Sequence, residues 1–183
     1  MTYVELHCHS NYSFQEGASS VDELLARAAE LEYPALALTD HNNLCGAMHF
    51  AKVARSLNVQ PITGAEITMK DGSHLTLLAE TRQGYSNLCN LLTYSRMEPD
   101  GDRLDPRLTP LLLAEHAEGL VLLTGCSEGR VPRLITEGRV NEAETQLRSY
   151  LDWFGAGNVF IELQNHGNTL YFKNVFLRAI PRK

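Results

Sequence analysis

Two histidines two positions apart, a Thr-Asp-His triplet, one glutamate in an apolar run, a further histidine and a cysteine carry the chemistry open to this sequence. They are His7 and His9, Asp40 and His41, Glu66, His74 and Cys126. Each falls at or near the end of a short apolar run. Residues two apart on a strand share a face, so His7 and His9 point the same way and Cys8 points away from them. Glu66 stands in the apolar stretch Ile62–Ile67, where a carboxylate needs a partner or a metal. Taken singly, each has an ordinary explanation. A strand-end histidine is more often hydrogen-bonded in the core or at the surface than a ligand. Asp and His are common in strand-to-helix loops, and a free cysteine usually packs. Taken jointly, five separate runs bring metal-competent groups to one face, which points to a metal-ligand cluster.

Imidazoles, carboxylates and one thiolate suit borderline divalent ions such as Zn, Mn or Fe better than Mg or Ca. Seven candidate donors are too many for one ion, so two or three ions are implied. Clustered ions about 3.5–4 Å apart are the device of phosphoesterases, where they generate hydroxide at neutral pH and hold both oxygens of an in-line displacement.

The elements that must position these groups follow from periodicity. Tyr3–Leu6 reads as a strand. Val21–Leu31 reads as a helix, with Ser19 and Ser20 as N-cap candidates and Glu23 placed for a capping box. Ala35–Leu38 is a short buried strand. Cys45–Leu57 is a second helix, with Met48, Val53 and Leu57 on its apolar side. Pro61–Thr68 and His74–Ala79 are strands joined by Lys70-Asp71-Gly72 as a hairpin. Tyr85–Tyr94 is helical and Glu98–Leu108 loop-like. Thr109 caps a helix over Pro110–His116. Leu120–Thr124 and Val159–Leu163 are strands flanking a long amphipathic helix, Val140–Phe154. Such alternation predicts an α/β fold with a mainly parallel sheet, whose active-site residues gather at the C-terminal strand ends. Residues 1–167 read as one domain and 168–183 as an atypical tail.

Composition narrows the function classes. The 183 residues are 44% hydrophobic and 21% charged, which suits one globular domain and excludes a collagen-like or disordered chain. Sixteen Lys and Arg against 22 Asp and Glu give a formal charge of −6. That is no footprint for wrapping nucleic acid, although a nucleic-acid end needs only a local site. Four scattered cysteines without a CxxC pair exclude a disulfide scaffold. No secretory signal and no run near the ~20 apolar residues of a membrane span is visible, so a reduced, cytoplasmic protein without membrane contact is expected.

The segments LHCHSNYSFQEGA, ALTDHNNL, GAEI, HLTLLAETRQGYSNL and LLTGCSEG, in this order over residues 2–167, resemble the polymerase-and-histidinol-phosphatase (PHP) domain. The likeness is to the form at the N-terminus of bacterial DNA polymerase III alpha subunits, particularly the error-prone type. It implies a distorted (β/α)7 barrel with a trinuclear site at the strand C-termini. On this likeness His7 and His9 serve the first metal, and Glu66 bridges the first and second. His74 and Cys126 complete the second, and His41 with Glu16 serves the third. Asp40 stands behind an imidazole as an orienting carboxylate. Two departures are visible. Glu16 occupies a place where the pattern usually has Asp. The Asp-x-His motif of the seventh strand is missing after Glu162, so the barrel is expected to be truncated before that strand. The nearest groups are Asn165 and His166 of LQNHG, which in the family lie upstream of that motif. A water, an anion or a ligand from another copy could fill each gap. Arg130, close after Cys126, is the best placed of the loop arginines to approach a phosphate, although a solvated arginine is the plainer reading.

Two function classes follow from the resemblance. The first is a metal-dependent phosphoesterase acting on a phosphomonoester or a nucleic-acid 3′ end, since some family members are 3′-to-5′ exonucleases. The second is a catalytically weak or inactive metal-binding module of the kind that scaffolds a polymerase. A plain α/β domain with no metal is the third and least economical option. Association with polymerase components, or between two copies across an open barrel edge, is the expected partnership. The tail from Thr169 could cover that edge instead. A chain of this length holds no polymerase machinery.

Overall fold

The computed structural model describes residues 3–97 and 102–162. Helix α1 (Val21–Glu30) starts at Ser20. The Ser20 hydroxyl accepts the Glu23 amide at 3.3 Å, and the Glu23 carboxylate accepts the Ser20 amide at 2.7 Å. This reciprocal capping box is the one the sequence announces. The helix buries Val21, Leu25 and Ala28. Helix α2 (Ala47–Ser56) begins after Gly46 and buries Ala47, Phe50 and Ala54. Met48, expected on the apolar side, is 78% exposed. Phe50 selects the face, and Met48, two residues earlier at 3.6 residues per turn, turns to the opposite side.

Among the described residues five strands form one sheet in chain order: β1 (Ala35–Leu38), β2 (Gln60–Thr68), β3 (His74–Ala79), β4 (Leu120–Leu123) and β5 (Val159–Phe160). The pairs β1–β2 and β4–β5 are parallel, whereas β2–β3 and β3–β4 are antiparallel. The sheet is therefore mixed rather than mainly parallel. The turn at Lys70–Gly72 is too short for the crossover a parallel return needs, so β3 must run back along β2. Strand order following chain order is consistent with a barrel that stops short of closure. The expected strand Tyr3–Leu6 shrinks to a single bridge, Glu5 to Leu36. Side chains intercept its ladder: the Glu5 carboxylate accepts the His7 amide at 3.1 Å, and the Thr39 hydroxyl accepts the Cys8 amide at 2.9 Å.

Helix α3 spans Arg82–Met97, α4 Pro110–Glu115, α5 Arg130–Thr136 and α6 Val140–Phe154. Helix α5 was not expected. It is two turns long and carries a proline, so its Val131 and Leu134 give too short a pattern to read.

Strand alternation sorts the core. Ala65, Ile67, Leu75, Leu77, Leu120 and Leu122 pack with residues of α3 to α6, while Leu36 and Leu38 pack under α1 and α2. The opposite sheet face has an apolar floor, where Ala37, Leu78 and Leu123 meet Leu6, Ile62 and Val121. Above that floor, on the same face, stand Glu66 opposite Thr76 and Thr68 opposite His74. Among the described residues no helix is long and apolar enough to cross a membrane. Asn165, His166, Leu163 and the tail 168–183 lie outside the described residues, as does the proposed cover from Thr169.

Candidate metal centre

The first segment reaches the site along β1: Glu5 O accepts the Ala37 amide and Cys8 O the Thr39 amide, both at 2.9 Å. Cys8 faces away and packs against the α1–α2 core, as alternation requires, and burial pushes its thiol up to about 11. His7 and His9 turn to the other side, with their Nε2 atoms 3.3 Å apart.

Glu66 is the centre. His9 Nε2 lies 3.2 Å from Glu66 Oε2, His74 Nδ1 3.1 Å from Oε1, and His7 Nε2 3.8 Å from Oε1. His74 arrives because β3 runs antiparallel, so the start of β3 lies beside the end of β2. Burial would raise the Glu66 carboxyl, but the imidazoles of His7, His74 and His9 gathered around it hold it well below the usual carboxylate range. His74 is shifted up by its bond to Glu66 against burial. Burial opposes a charged His7, yet the bond to Glu162 and the nearby Glu66 carboxylate push it up to about 10.

His41 follows β1 and bridges to Glu66 through the backbone. Its Nδ1 lies 2.8 and 2.9 Å from the two Glu16 oxygens, and its Nε2 lies 2.7 Å from Thr68 Oγ1. Glu16 also approaches His9 Nδ1, at 3.4 Å. Gly17 lets the loop carrying Glu16 close on itself: a Cβ there would sit 2.0 Å from Ser10 O.

Donor atoms of His7, His9 and Glu66 lie within 4.8 Å of one another, as do those of His41, Glu66 and His74. Both sets hold nitrogen and oxygen donors around one buried carboxylate, so the residues present fit divalent ions of the Zn, Mn or Fe type. The structure therefore unites His7, His9, His41, Glu66 and His74. His41 groups with Glu66 and His74, and Glu16 stands at its outer nitrogen. Cys126 belongs to neither set among the described residues. Its thiol is half-buried and is pushed up by burial. Asp40 is spent elsewhere than on an imidazole. Its oxygens accept the Ser10 amide at 2.7 Å, the Ser10 hydroxyl at 2.8 Å and the Ser13 hydroxyl at 2.7 Å. Arg130 faces Asp71 in the hairpin turn at 3.3 Å and lines a cavity with Tyr150 and Trp153.

Sequence reading passed over Glu162, whose Oε1 lies 2.6 Å from His7 Nδ1. The signal was present: a carboxylate in the apolar run Val159–Leu163 calls for the same explanation as Glu66 in its own run.

The PHP domain family model matches residues 5–166. An error-prone DNA polymerase of Symbiobacterium thermophilum is 43% identical over 179 residues, covering 90% of this chain and 16% of its own length. A DNA polymerase III subunit alpha of Treponema pallidum is 42% identical over 181 residues, covering 91% of this chain and 15% of its own length. This chain thus spans 15–16% of the length of these curated relatives. Among solved structures, a lesion-specific endonuclease of Pyrococcus furiosus superposes with a TM-score of 0.52 at 17% identity, over 91% of this chain and 42% of that one. At that identity the two share a fold.

Proposed function

We propose hydrolysis of phosphate esters from one premise: the chain belongs to the PHP domain family. The observation that carries the reading is the ring of His7, His9, His41 and His74 around the buried Glu66, with two donor sets sharing that carboxylate. His7, His9 and Glu66 would hold one divalent ion and His41, Glu66 and His74 another. Glu16 beside His41 marks a third position, and Cys126 at the start of the loop to α5 is a further donor for the second. Such ions, when bound, supply Lewis acidity toward a phosphoryl oxygen and lower the pKa of water.

The chain's own part is to hold and orient. Thr68 fixes the His41 ring through Nε2 at 2.7 Å. Asp40 fixes the loop of Ser10 and Ser13, and Ser13 Oγ accepts the His41 amide at 3.0 Å. The apolar floor beneath Glu66 keeps water from one side, which strengthens every charge interaction above it. The substrate we read for this site is a phosphomonoester or a nucleic-acid 3′ end. The names of the polymerase relatives support the latter, and the charge of −6 argues for local engagement of an end over tracking along a duplex. Residence within a larger polymerase assembly is the partnership that fits relatives several times longer than this chain.

The test is release of phosphate from p-nitrophenyl phosphate, and of the terminal nucleotide from a 3′-labelled oligonucleotide, with Mn or Zn added. Turnover lost in His9→Ala supports the reading. A folded, metal-loaded chain that releases nothing from either probe would point to the scaffolding role instead.

A further inference from the structure

Glu162 follows β5, and its backbone is held at the strand end. Its amide donates to Thr124 Oγ1 at 3.1 Å, and the Thr124 amide donates to Phe160 O at 3.0 Å. Its Oε1 lies 2.6 Å from His7 Nδ1, with the two side chains 10% and 8% exposed. Thr76 Oγ1 also approaches that nitrogen, at the longer distance of 3.4 Å. An ionised carboxylate can only accept, so the proton of this short contact sits on Nδ1. A neutral His7 then keeps its lone pair on Nε2, the atom that lies 3.3 Å from His9 Nε2 and 3.8 Å from Glu66 Oε1.

We infer that Glu162 is a positioning residue. It selects the Nδ1–H tautomer of His7 and fixes the ring, so that the Nε2 lone pair faces the place shared with His9 and Glu66. The inference rests on the reading of those three residues as donors to a divalent ion. A carboxylate behind a metal-bound imidazole orients the ring and raises its basicity, and its loss typically costs about 10–100-fold in metal affinity. Glu162 thereby gives the segment after the last described strand, β5, a task at the site through the Nδ1 nitrogen of His7.

The test measures zinc affinity and zinc stoichiometry of the full chain against Glu162→Ala and Glu162→Gln. Alongside it, long-range 15N imidazole spectra of the metal-free proteins, followed up in pH until His7 is neutral, report its tautomer, and circular dichroism confirms that each is folded over that range. In Glu162→Ala, affinity for one ion should fall by about 10–100-fold at unchanged stoichiometry, and the His7 signal should lose its Nδ1–H character. Glu162→Gln, whose amide oxygen still accepts from Nδ1–H, should keep the tautomer and lose less affinity. Parent-like affinity and an unchanged His7 spectrum in Glu162→Ala would overturn the inference. Loss of a whole ion in both variants would overturn it too, because Glu162 would then be a direct donor. Phosphate release is read separately: a parent chain that loads zinc yet hydrolyses neither probe defeats the hydrolytic reading and leaves the Glu162 comparison standing.

Discussion

Asp40 and Glu66 are both buried carboxylates, 1% and 3% exposed, one just past the C-terminal end of β1 and the other near the C-terminal end of the parallel β2. Their surroundings differ in kind. Asp40 is met by one amide and two hydroxyls, all from Ser10 and Ser13. Those donors are neutral and cannot leave, so the charge of Asp40 organises a loop and is complete within the chain. Glu66 is met by three imidazoles, each able to offer either a proton or a lone pair. Its partners can exchange protons for a cation without moving the backbone. A buried carboxylate served by fixed donors is architecture; one served by titratable donors is a place for something to bind.

The largest effect that sharpens this contrast is expected at Glu66. Glu66→Gln should lower bound metal by at least one ion per chain and any hydrolysis by more than about 100-fold, beyond the usual loss from groups standing behind ligands. Elemental analysis and the phosphate assay check it, and full metal content in the variant would erase the distinction drawn between the two carboxylates. Next comes Asp40→Asn, which sets an amide donor against hydroxyl donors and should cost about 3 kcal/mol of stability. Denaturant melts should show that loss equally with and without chelator, whereas metal-dependent loss would move Asp40 to the Glu66 class.

Chelation of the parent comes third. An ion present at 100 times its dissociation constant stabilises by about 2.7 kcal/mol, so the melting temperature should fall on chelation in the parent and much less in Glu66→Gln. The smallest effect is expected for Ser13→Ala, about 2 kcal/mol, because one donor to Asp40 and the acceptor of the His41 amide are lost together. A melt indistinguishable from the parent would mean that water replaces the hydroxyl.

Much of this was legible in the sequence because the signals were local. Ser20 and Glu23 announce α1 from three residues apart. The shared face of His7 and His9 follows from the pleat, and Glu66 stands out as a charge among apolar neighbours. The hairpin was legible too, and with it the arrival of His74, since a three-residue turn admits only an antiparallel return. What escaped depends on contacts across long separations. Asp40 binds residues 27 and 30 positions earlier, which no pattern around Thr39-Asp40-His41 reveals. The expectation of a mainly parallel sheet took the alternation of elements as decisive and gave too little weight to the hairpin already visible within it. Glu162 was discoverable by the reasoning applied to Glu66, but its partner lies 155 residues away.

That distance has a consequence for the whole chain. The first and last described segments meet at the His7 imidazole, so His7 works as a clasp on a ring of otherwise sequential neighbours. Opening the Glu162–His7 contact would free one edge of the donor cluster and leave the central hairpin, with Glu66 and His74 paired, in place. The site thus depends on how the segments around His7 and Glu162 are held as well as on the strands that carry Glu66 and His74.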